Sequence, residues 1–322
     1  MAAPAGGEPI ETPARAAGDP GPSPARRSTP RLLLDASRPR QWIKNALVFA
    51  APGAAGLLSH PSVLGRTAVA AGIFLVASTG TYLVNDTVDA AADRVHPEKR
   101  SRPVASGALS PRLALAVGGV LLALAVTGAG LFAGKALLAV VAAYAVVSVG
   151  YSLYLKHVPV IELACVSSGF VLRAVAGGAA VHIPISPWFA IVTSACALLV
   201  VTGKRSAELT TLSGNGASHR RVLAYYPASF LRSVRVLAAT VAVMSYALWA
   251  FDRAAHLDSG RGDIDDIVFR LSILPFVLGV LSVELSIESG HGGAPEELAL
   301  RNRGLQVLGL ACVVLVAVGI YT

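Results

Sequence analysis

The sequence predicts an all-α, polytopic membrane protein, and three features of its composition support this prediction. Hydrophobic residues make up 54% of the 322 residues and charged residues only 14%, whereas soluble globular domains carry about 25% charged residues. Uncharged runs recur along the chain, and several approach the roughly 20 residues that a bilayer-spanning helix needs. The charged residues gather in short segments between these runs. This pattern excludes a soluble globular enzyme.

Nine runs along the chain are candidate membrane spans. The first contains Pro52 and Gly53, and the fifth contains Arg173. Because such interruptions need protein neighbours or water at membrane depth, we expect both spans to pack inside the bundle. The predicted ranges are 43–59, 66–85, 112–132, 136–155, 159–180, 187–203, 231–251, 271–287 and 304–321.

Residues 1–36 are predicted to form a disordered tail. They are rich in Ala, Pro, Gly and Arg, and the first 30 residues contain no apolar stretch of the kind that a secretory signal carries. The rest of the chain, residues 37–322, is predicted to be one transmembrane catalytic domain. The sequence leaves its oligomeric state open, including a homo-oligomer.

Lys and Arg residues are distributed unevenly between the two sides of the membrane. If the N-terminus is cytoplasmic, 20 of the 27 fall on that side and five on the other, with two inside spans. Cytoplasmic loops are enriched in Lys and Arg, so we expect this orientation in the cell (inner) membrane. The same bias accounts for the net charge of +8, and no nucleic acid partner is expected. Every charge-dense segment then opens on the cytoplasmic face.

The most charged of these segments is LVNDTVDAAADRVHPEKRSRP, residues 83–103, which follows an uncharged run. Asn85, Asp89 and Asp93 are spaced i, i+4, so their oxygen-bearing side chains share one helical stripe. Such a stripe suits Mg²⁺, which binds one or two carboxylates together with substrate phosphates. Lys99 and Arg102 follow directly. Carboxylates followed by cations indicate a diphosphate site.

The stretch Asn85-Asp86-Thr-Val-Asp89-Ala-Ala-Ala-Asp93 resembles the first aspartate-rich motif of the UbiA intramembrane prenyltransferases. That resemblance implies a helical barrel of nine helices with a Mg²⁺-diphosphate site at its cytoplasmic mouth. Members of the family also carry a second aspartate-rich motif after the sixth span. Here that place reads VVTGKRSAEL, with Lys204 and Arg205. Cations there predict an anionic group that is bound directly, without a second metal.

Because cations replace the second aspartate-rich motif, the chain resembles the decaprenyl-phosphate phosphoribosyltransferase branch of the family. The stretches that carry the resemblance are SRPRQWIKN, YLVNDTVDAAADRVHPEKRSRPVASG, YSLYLKHVPVIELACVSSGFVLRAVAGG and GKRSAEL. The resemblance implies transfer of 5-phosphoribose from phosphoribosyl diphosphate (PRPP) to a polyprenyl phosphate with release of diphosphate. It also implies a place in the synthesis of the arabinose donor for cell-wall arabinan.

Roles for individual residues follow from this resemblance and from their charges. Glu162 and Glu208 are expected to orient other side chains of the site rather than to act as ligands. Asn85 and Asp89, with Asp86 or Asp93, are expected to hold Mg²⁺. Lys204 and Arg205 are expected to bind the lipid phosphate. The residues expected to bind PRPP are Lys44, Tyr82, Lys99, Arg102, Lys156 and Arg173. The residues expected to be catalytic are Asp86, Asp89, Lys156 and Arg173.

Two other functions stay open at this point. The first is a UbiA-type enzyme that joins a polyprenyl diphosphate to an aromatic acceptor, although Lys204 and Arg205 would oppose its second metal. The second is a transporter, although the sequence contains no recognisable repeat of the kind found in many transporters, and its charges gather on one face.

Overall fold

The computed structural model describes residues 28–97, 99–215, 221–256, 262–291 and 302–321, and in these ranges every regular element is helical. Short 3-10 turns occupy Lys99–Ser101, Leu155–His157 and Arg221–Tyr225, and a π-helical turn occupies Ile287–His291. The longer elements are α1 (Thr29–Ala36), a 3-10 helix (Pro39–Phe49) that continues as α2 (Ala50–Ala54), α3 (Pro61–Val88), α4 (Ala90–Val95), α5 (Pro111–Leu153), α6 (Ile161–Val181), α7 (Pro187–Asn215), α8 (Ala228–His256), α9 (Gly262–Ser286) and α10 (Arg303–Tyr321).

Seven of the described helices, α3 and α5 to α10, are long and apolar enough to cross a membrane. Large apolar side chains stay exposed on them, as at Leu131, Phe132 and Val146, each of which is more than two-thirds exposed. An apolar surface of this extent is typical of helices that contact lipid. The all-α membrane class is therefore confirmed.

Helix α5 folds back on itself. Its 43 residues would extend roughly 64 Å at 1.5 Å per residue, about twice the hydrocarbon core of a bilayer. Gly134 interrupts it with φ 80°, a conformation that glycine adopts without strain. Gly118 before the break lies against Leu83, and Ser152 after it bonds to Asn85. Both ends of α5 thus reach the same end of α3.

Three predicted spans differ in detail from the structure. The ranges 112–132 and 136–155 correspond to the two arms of α5. The first predicted span, 43–59, is not one α-helix, because the chain there is a 3-10 helix followed by the five residues of α2. Pro52 lies inside α2 and has no N–H to continue a helical ladder. The predicted count of nine spans stays a prediction.

The ordered region starts earlier than the predicted boundary at residue 36. Helix α1 is formed, and its Leu32 and Ala36 are buried against Leu83 and Leu109. The predicted disorder is therefore wrong for the residues of α1, because their apolar face finds a partner that local composition does not reveal. Residues 1–27, which hold most of the predicted tail, lie outside the described residues.

The Pro39–Phe49 segment is packed tightly against α6. A Cβ atom on Gly177 of α6 would lie only 1.8 Å from the carbonyl oxygen of Val48, so only glycine permits this approach. Val48 is fully buried in a core that also contains Phe74 of α3 and Leu137 of α5. The segment is thereby held between the helices that form the site.

Candidate functional site

A cavity of about 220 Å³ lies where the Pro39–Phe49 segment, α3, α5, α6 and α7 meet. Among the residues singled out from the sequence, those that line it are Lys44, Tyr82, Asn85, Arg173, Lys204 and Arg205. Lys99 is half-buried on the 3-10 turn that follows α4. The other predicted residues, which ion pairs connect around the end of α3, are Asp86, Asp89, Asp93, Arg102 and Lys156.

Asp86 and Asp93 are held by arginines. Both residues are almost fully buried, at 2% and 4% exposure. Arg102 donates to Asp86 at 3.1 Å and to Asp93 at 2.6 Å, and Arg38 forms a second ion pair with Asp86. Asp86 lies on α3 and Asp93 on α4, and their shared partner Arg102 brings the two carboxylates together. They form an acidic pair that is neutralised by the two arginines.

Asn85 and Asp89 point toward the junction of α5 and α6 instead. Ser152 donates to Asn85 Oδ1 at 3.3 Å, and Lys156 forms an ion pair with Asp89. Asp89 directly follows the last residue of α3, and its side chain is 23% exposed. Asp93 does not share these partners, because it lies on α4 and pairs with Arg102. The predicted stripe of three is thus reduced to Asn85 and Asp89.

Arg173 is a buried cation with neutral partners. It is 5% exposed on α6. Its guanidinium donates to Asn45 Oδ1 at 3.0 Å, to the Tyr144 hydroxyl at 3.0 Å and to the Gly169 carbonyl at 2.7 Å. In the described part of the chain it makes no ion pair. Because a buried charge without a counter-ion is costly, this arginine is suited to an anion that enters the cavity.

Arg205 is buried in a different way. Helix α7 continues past the predicted end of its span at residue 203, so Arg205 is helical, and it is 3% exposed. It donates to both Glu162 oxygens at 2.7–3.1 Å, to Glu208 at 2.9 Å and to the Tyr151 hydroxyl at 3.3 Å. Glu162 is fully buried. Both acids therefore bind the Arg205 guanidinium.

Arg38 is a cavity residue that the sequence analysis did not single out. It lines the cavity, forms the ion pair with Asp86 and lies 5.0 Å from the centroid of the Tyr82 ring. Its φ of 54° and ψ of 66° are left-handed, and residues in this strained region often belong to functional sites. The sequence did offer a way to find Arg38, because this residue belongs to SRPRQWIKN, one of the stretches that carry the resemblance.

An apolar groove of about 380 Å³ adjoins the cavity. Lys44 and Phe170 line both spaces, and the Lys44 ammonium lies 5.6 Å from the centroid of the Phe170 ring. Ile43, on the groove wall, is 57% exposed. The remaining walls are formed by Leu47, Val192, Thr193, Cys196, Ala197 and Val200. An apolar space beside a cationic one can hold an amphiphilic ligand.

The oxygen ligands at the end of α3 fit a magnesium ion that shares its coordination with a phosphate. In the described residues, no three His, Cys, Asp or Glu side chains meet as a complete metal site. Asn85 and Asp89 nevertheless offer an amide oxygen and a partly exposed carboxylate one helical turn apart. Because Mg²⁺ usually keeps several waters and takes one or two carboxylates plus substrate phosphates, a donor set of this size is sufficient.

The model of the UbiA prenyltransferase family matches residues 46–258. Curated relatives include decaprenyl-phosphate phosphoribosyltransferases from Corynebacterium glutamicum, 41% identical over 92% of this chain and 90% of the relative, and from Mycolicibacterium smegmatis, 41% identical over 90% and 92%. The protein of that name from Mycobacterium tuberculosis is 38% identical over 89% of this chain and 94% of its own length.

Solved structures share the fold. A UbiA homolog from Archaeoglobus fulgidus bound to DMAPP and Mg²⁺ has a TM-score of 0.66 and 15% identity, covering 89% of this chain and 97% of that one. A UbiA homolog from Aeropyrum pernix has a TM-score of 0.55 and 16% identity, covering 91% and 98%. At these identities the likeness concerns the helical architecture.

Proposed function

The chain belongs to the UbiA prenyltransferase family, and we propose that it is a decaprenyl-phosphate phosphoribosyltransferase. It transfers 5-phosphoribose from PRPP to decaprenyl phosphate and releases diphosphate. Relatives of that name are 38–41% identical across about nine-tenths of the chain. Within the structure, the observation that carries the proposal is Arg173, a buried cation on the cavity wall whose hydrogen-bond partners among the described residues are all neutral.

The donor occupies the end of the cavity next to α3. Its diphosphate and 5-phosphate are anionic, and the proposed cations come from four segments of the chain, at residues 38–44, 99–102, 156 and 173. Arg38 joins the predicted set because it lines the cavity and already binds a carboxylate. The proposed PRPP-binding residues are Lys44, Tyr82, Lys99, Arg102, Lys156 and Arg173, together with Arg38.

We propose that Asn85 and Asp89 hold a Mg²⁺ ion with the donor diphosphate, whereas Asp86 and Asp93 keep their arginine partners and do not join its ligands. Bound there, the ion would neutralise the negative charge that develops on the leaving diphosphate. Lys156 forms an ion pair with Asp89, so its ammonium group lies next to the same phosphates. Asp86 keeps Arg38 and Arg102 at this end of the cavity through its two ion pairs.

The acceptor lipid places its phosphate at the α7 wall and its chain in the apolar groove. Lys204 and Arg205 supply positive charge on that wall. Arg205 is bound on several sides by Glu162, Glu208 and Tyr151, so we assign the direct contact with the phosphate mainly to Lys204. Lys44 lines both spaces and marks the boundary between headgroup and chain.

The reaction then needs positioning and charge stabilisation rather than a general base. A lipid phosphate oxygen attacks the anomeric carbon, a carbon–oxygen bond to that phosphate forms, and the bond to the diphosphate breaks. The nucleophile is already ionised at neutral pH, because the second pKa of a phosphate monoester is about 6. Lys156 and Arg173 would contact the phosphates on the two sides of the reacting carbon, and Asp86 and Asp89 hold the groups that stabilise the leaving one.

We further propose that the protein crosses the cell membrane nine times. The two arms of α5 and the Pro39–Ala54 region would add two crossings to the seven candidate helices. The excess of Lys and Arg on one side supports an orientation with the site open to the cytoplasm, where PRPP is available. The lipid product would feed the arabinose donor for cell-wall arabinan.

Product formation by the purified protein tests the proposal. With Mg²⁺, decaprenyl phosphate and PRPP labelled in the ribose, we expect a labelled lipid and free diphosphate. Asp89→Ala and Asn85→Ala should abolish turnover in protein that still folds, because both side chains lie at an accessible helix end. Asp252→Ala, an exposed aspartate near the end of α8, is the matched control. Lipid product formed only from polyprenyl diphosphate and an aromatic acid would establish the alternative enzyme.

A further inference from the structure

A strained turn lies between two parts of the site. Val160 has φ 66° and ψ −48°, a combination that is a true outlier for a β-branched residue. The Ile161 N–H donates to the Pro159 carbonyl at 2.7 Å, so residues 159–161 form a γ-turn of the rare, strained kind. Strain of this type persists only where surrounding contacts impose it. Something must therefore hold Val160 in place.

Tyr226 provides that contact. The Val160 N–H donates to the Tyr226 hydroxyl at 2.7 Å. Tyr226 is 5% exposed, and its ring stacks on Phe230 with centroids 5.7 Å apart. Burial, together with the nearby Glu162 carboxylate, raises the pKa of Tyr226 above its ordinary value. The hydroxyl is therefore protonated at neutral pH and available as the acceptor for the turn.

The turn connects Lys156 to Glu162. Lys156 lies on the 3-10 turn Leu155–His157, and Glu162 lies in the first turn of α6. Helix α6 is anchored by its packing and by the buried pair of Glu162 with Arg205, whereas Val158 and Val160 are largely exposed. If Val160 returned to a negative φ, the chain before α6 would have to change direction. Lys156 would move away from Asp89 while α6 stayed in place.

We propose that Tyr226 is a positioning residue for the donor end of the site, acting through the backbone of Val160 on Lys156. It does not contact the cavity itself, since it is not among the lining residues. The proposal rests on the proposed function, because that function assigns Lys156 to PRPP. It adds a residue outside every motif identified in the sequence.

The test compares Tyr226→Phe with Tyr225→Phe, a neighbouring tyrosine that is 68% exposed. Loss of the Tyr226 hydroxyl should lower kcat/KM for PRPP by about 10-fold, as expected when a catalytic group is displaced by a fraction of an ångström. The KM for decaprenyl phosphate should stay the same, because Lys204 is not attached to the turn. Tyr225→Phe should behave as wild type.

Val160→Gly supplies a rescue. Glycine adopts positive φ without strain, so Val160→Gly should restore most of the lost activity when it is combined with Tyr226→Phe, and should leave activity unchanged alone. Hydrogen exchange in residues 155–162 should be faster in Tyr226→Phe than in Tyr225→Phe. Normal activity of Tyr226→Phe, a loss that Val160→Gly does not rescue, or a change confined to the lipid KM would each overturn the proposal.

The exchange measurement separates this proposal from the proposed function. If the wild-type protein made no labelled lipid from PRPP, the proposed function would fail, and the assignment of Tyr226 to the donor would fail with it. The exchange rates would still decide whether the Tyr226 hydroxyl holds the turn. If the wild-type protein is active and exchange is unchanged in Tyr226→Phe, only the positioning role is wrong.

Discussion

Arg173 and Arg205 are two buried arginines on the same cavity, and their surroundings differ. Arg205 is surrounded by acids, since Glu162 and Glu208 both accept from its guanidinium. Arg173 donates to neutral groups, the Asn45 side chain among them. Both side chains are at most 5% exposed, so burial does not distinguish them. The two arginines differ in whether carboxylates accept hydrogen bonds from them.

This difference separates a structural charge from one that can act on a ligand. A buried pair such as Arg205 with Glu162 is neutral as a unit and holds α6 against α7. The charge of Arg173 is not balanced by a carboxylate in the described residues, which makes the folded protein less stable than it would be with an apolar side chain there. Ionisable groups at membrane depth are functional by default, and an anionic substrate would supply the missing charge.

Among the variants that test this comparison, Arg173→Met is expected to have the largest effect. Turnover should fall about 1,000-fold, or roughly 4 kcal/mol at 1.36 kcal/mol per tenfold, because the substrate phosphates lose a desolvated cation. The free energy of unfolding should stay the same or rise, since an unbalanced buried charge is removed. Rates with labelled PRPP and thermal unfolding in detergent measure the two quantities. The control is Arg66→Met, which changes an exposed arginine at the start of α3. A clear drop in the unfolding temperature of Arg173→Met would contradict the distinction between the two arginines.

Glu162→Gln should show the opposite pattern. It leaves Arg205 buried with one charged partner fewer, and breaking a buried pair typically costs about 3–5 kcal/mol of stability. The unfolding midpoint should drop clearly, and activity should fall only to the extent that protein unfolds. Combining Glu162→Leu with Arg205→Met removes both charges and should recover most of the midpoint. Failure of the double variant to recover would mean that Arg205 has a role beyond the pair.

Lys204→Ala tests how the cations are divided between the two substrates. The KM for decaprenyl phosphate should rise about 10-fold, or roughly 1.4 kcal/mol, with little change in the KM for PRPP. Lys135→Ala, on an exposed lysine just after the break in α5, should change neither value. An effect on PRPP alone would show that the division is wrong.

The smallest effect is expected from Arg232→Ala. Arg232 pairs with Glu288 at 2.8 Å, but the two side chains are 66% and 39% exposed. Exposed pairs contribute little to stability, so neither the unfolding midpoint nor turnover should change measurably. A shift as large as that of Glu162→Gln would show that burial is not what makes the Arg205 pair important.

Parts of the site were accessible from the sequence because their signals are local. Asn85 and Asp89 belong to one motif, and Arg173 interrupts an apolar span, so each could be identified without knowing its neighbours. The partners of Arg173 could not, since Asn45 and Tyr144 come from other segments of the chain. Arg38 was missed for a related reason, because its backbone conformation and its contact with Asp86 exist only in the folded chain.

The helices also divide into those that a local sequence signal predicts and those that depend on tertiary packing. The uncharged runs predicted most of the helices, since hydrophobicity summed over about 20 residues is a property of the run itself. The break at Gly134 was anticipated as a boundary between two runs. The 3-10 geometry of Pro39–Phe49 was not, nor was helix α1, because both depend on packing against segments that are distant in the sequence.

The order of residues alone determined the membrane class, the positions of most helices and the replacement of a second acidic motif by cations. Composition and local spacing carry the first two, and the resemblance to the UbiA family identifies the third. The tertiary structure alone decided which cations are neutralised, joining Arg205 to Glu162 and leaving Arg173 among neutral groups. The physical reason is that charges interact through distance and burial, and both are set by how the helices pack.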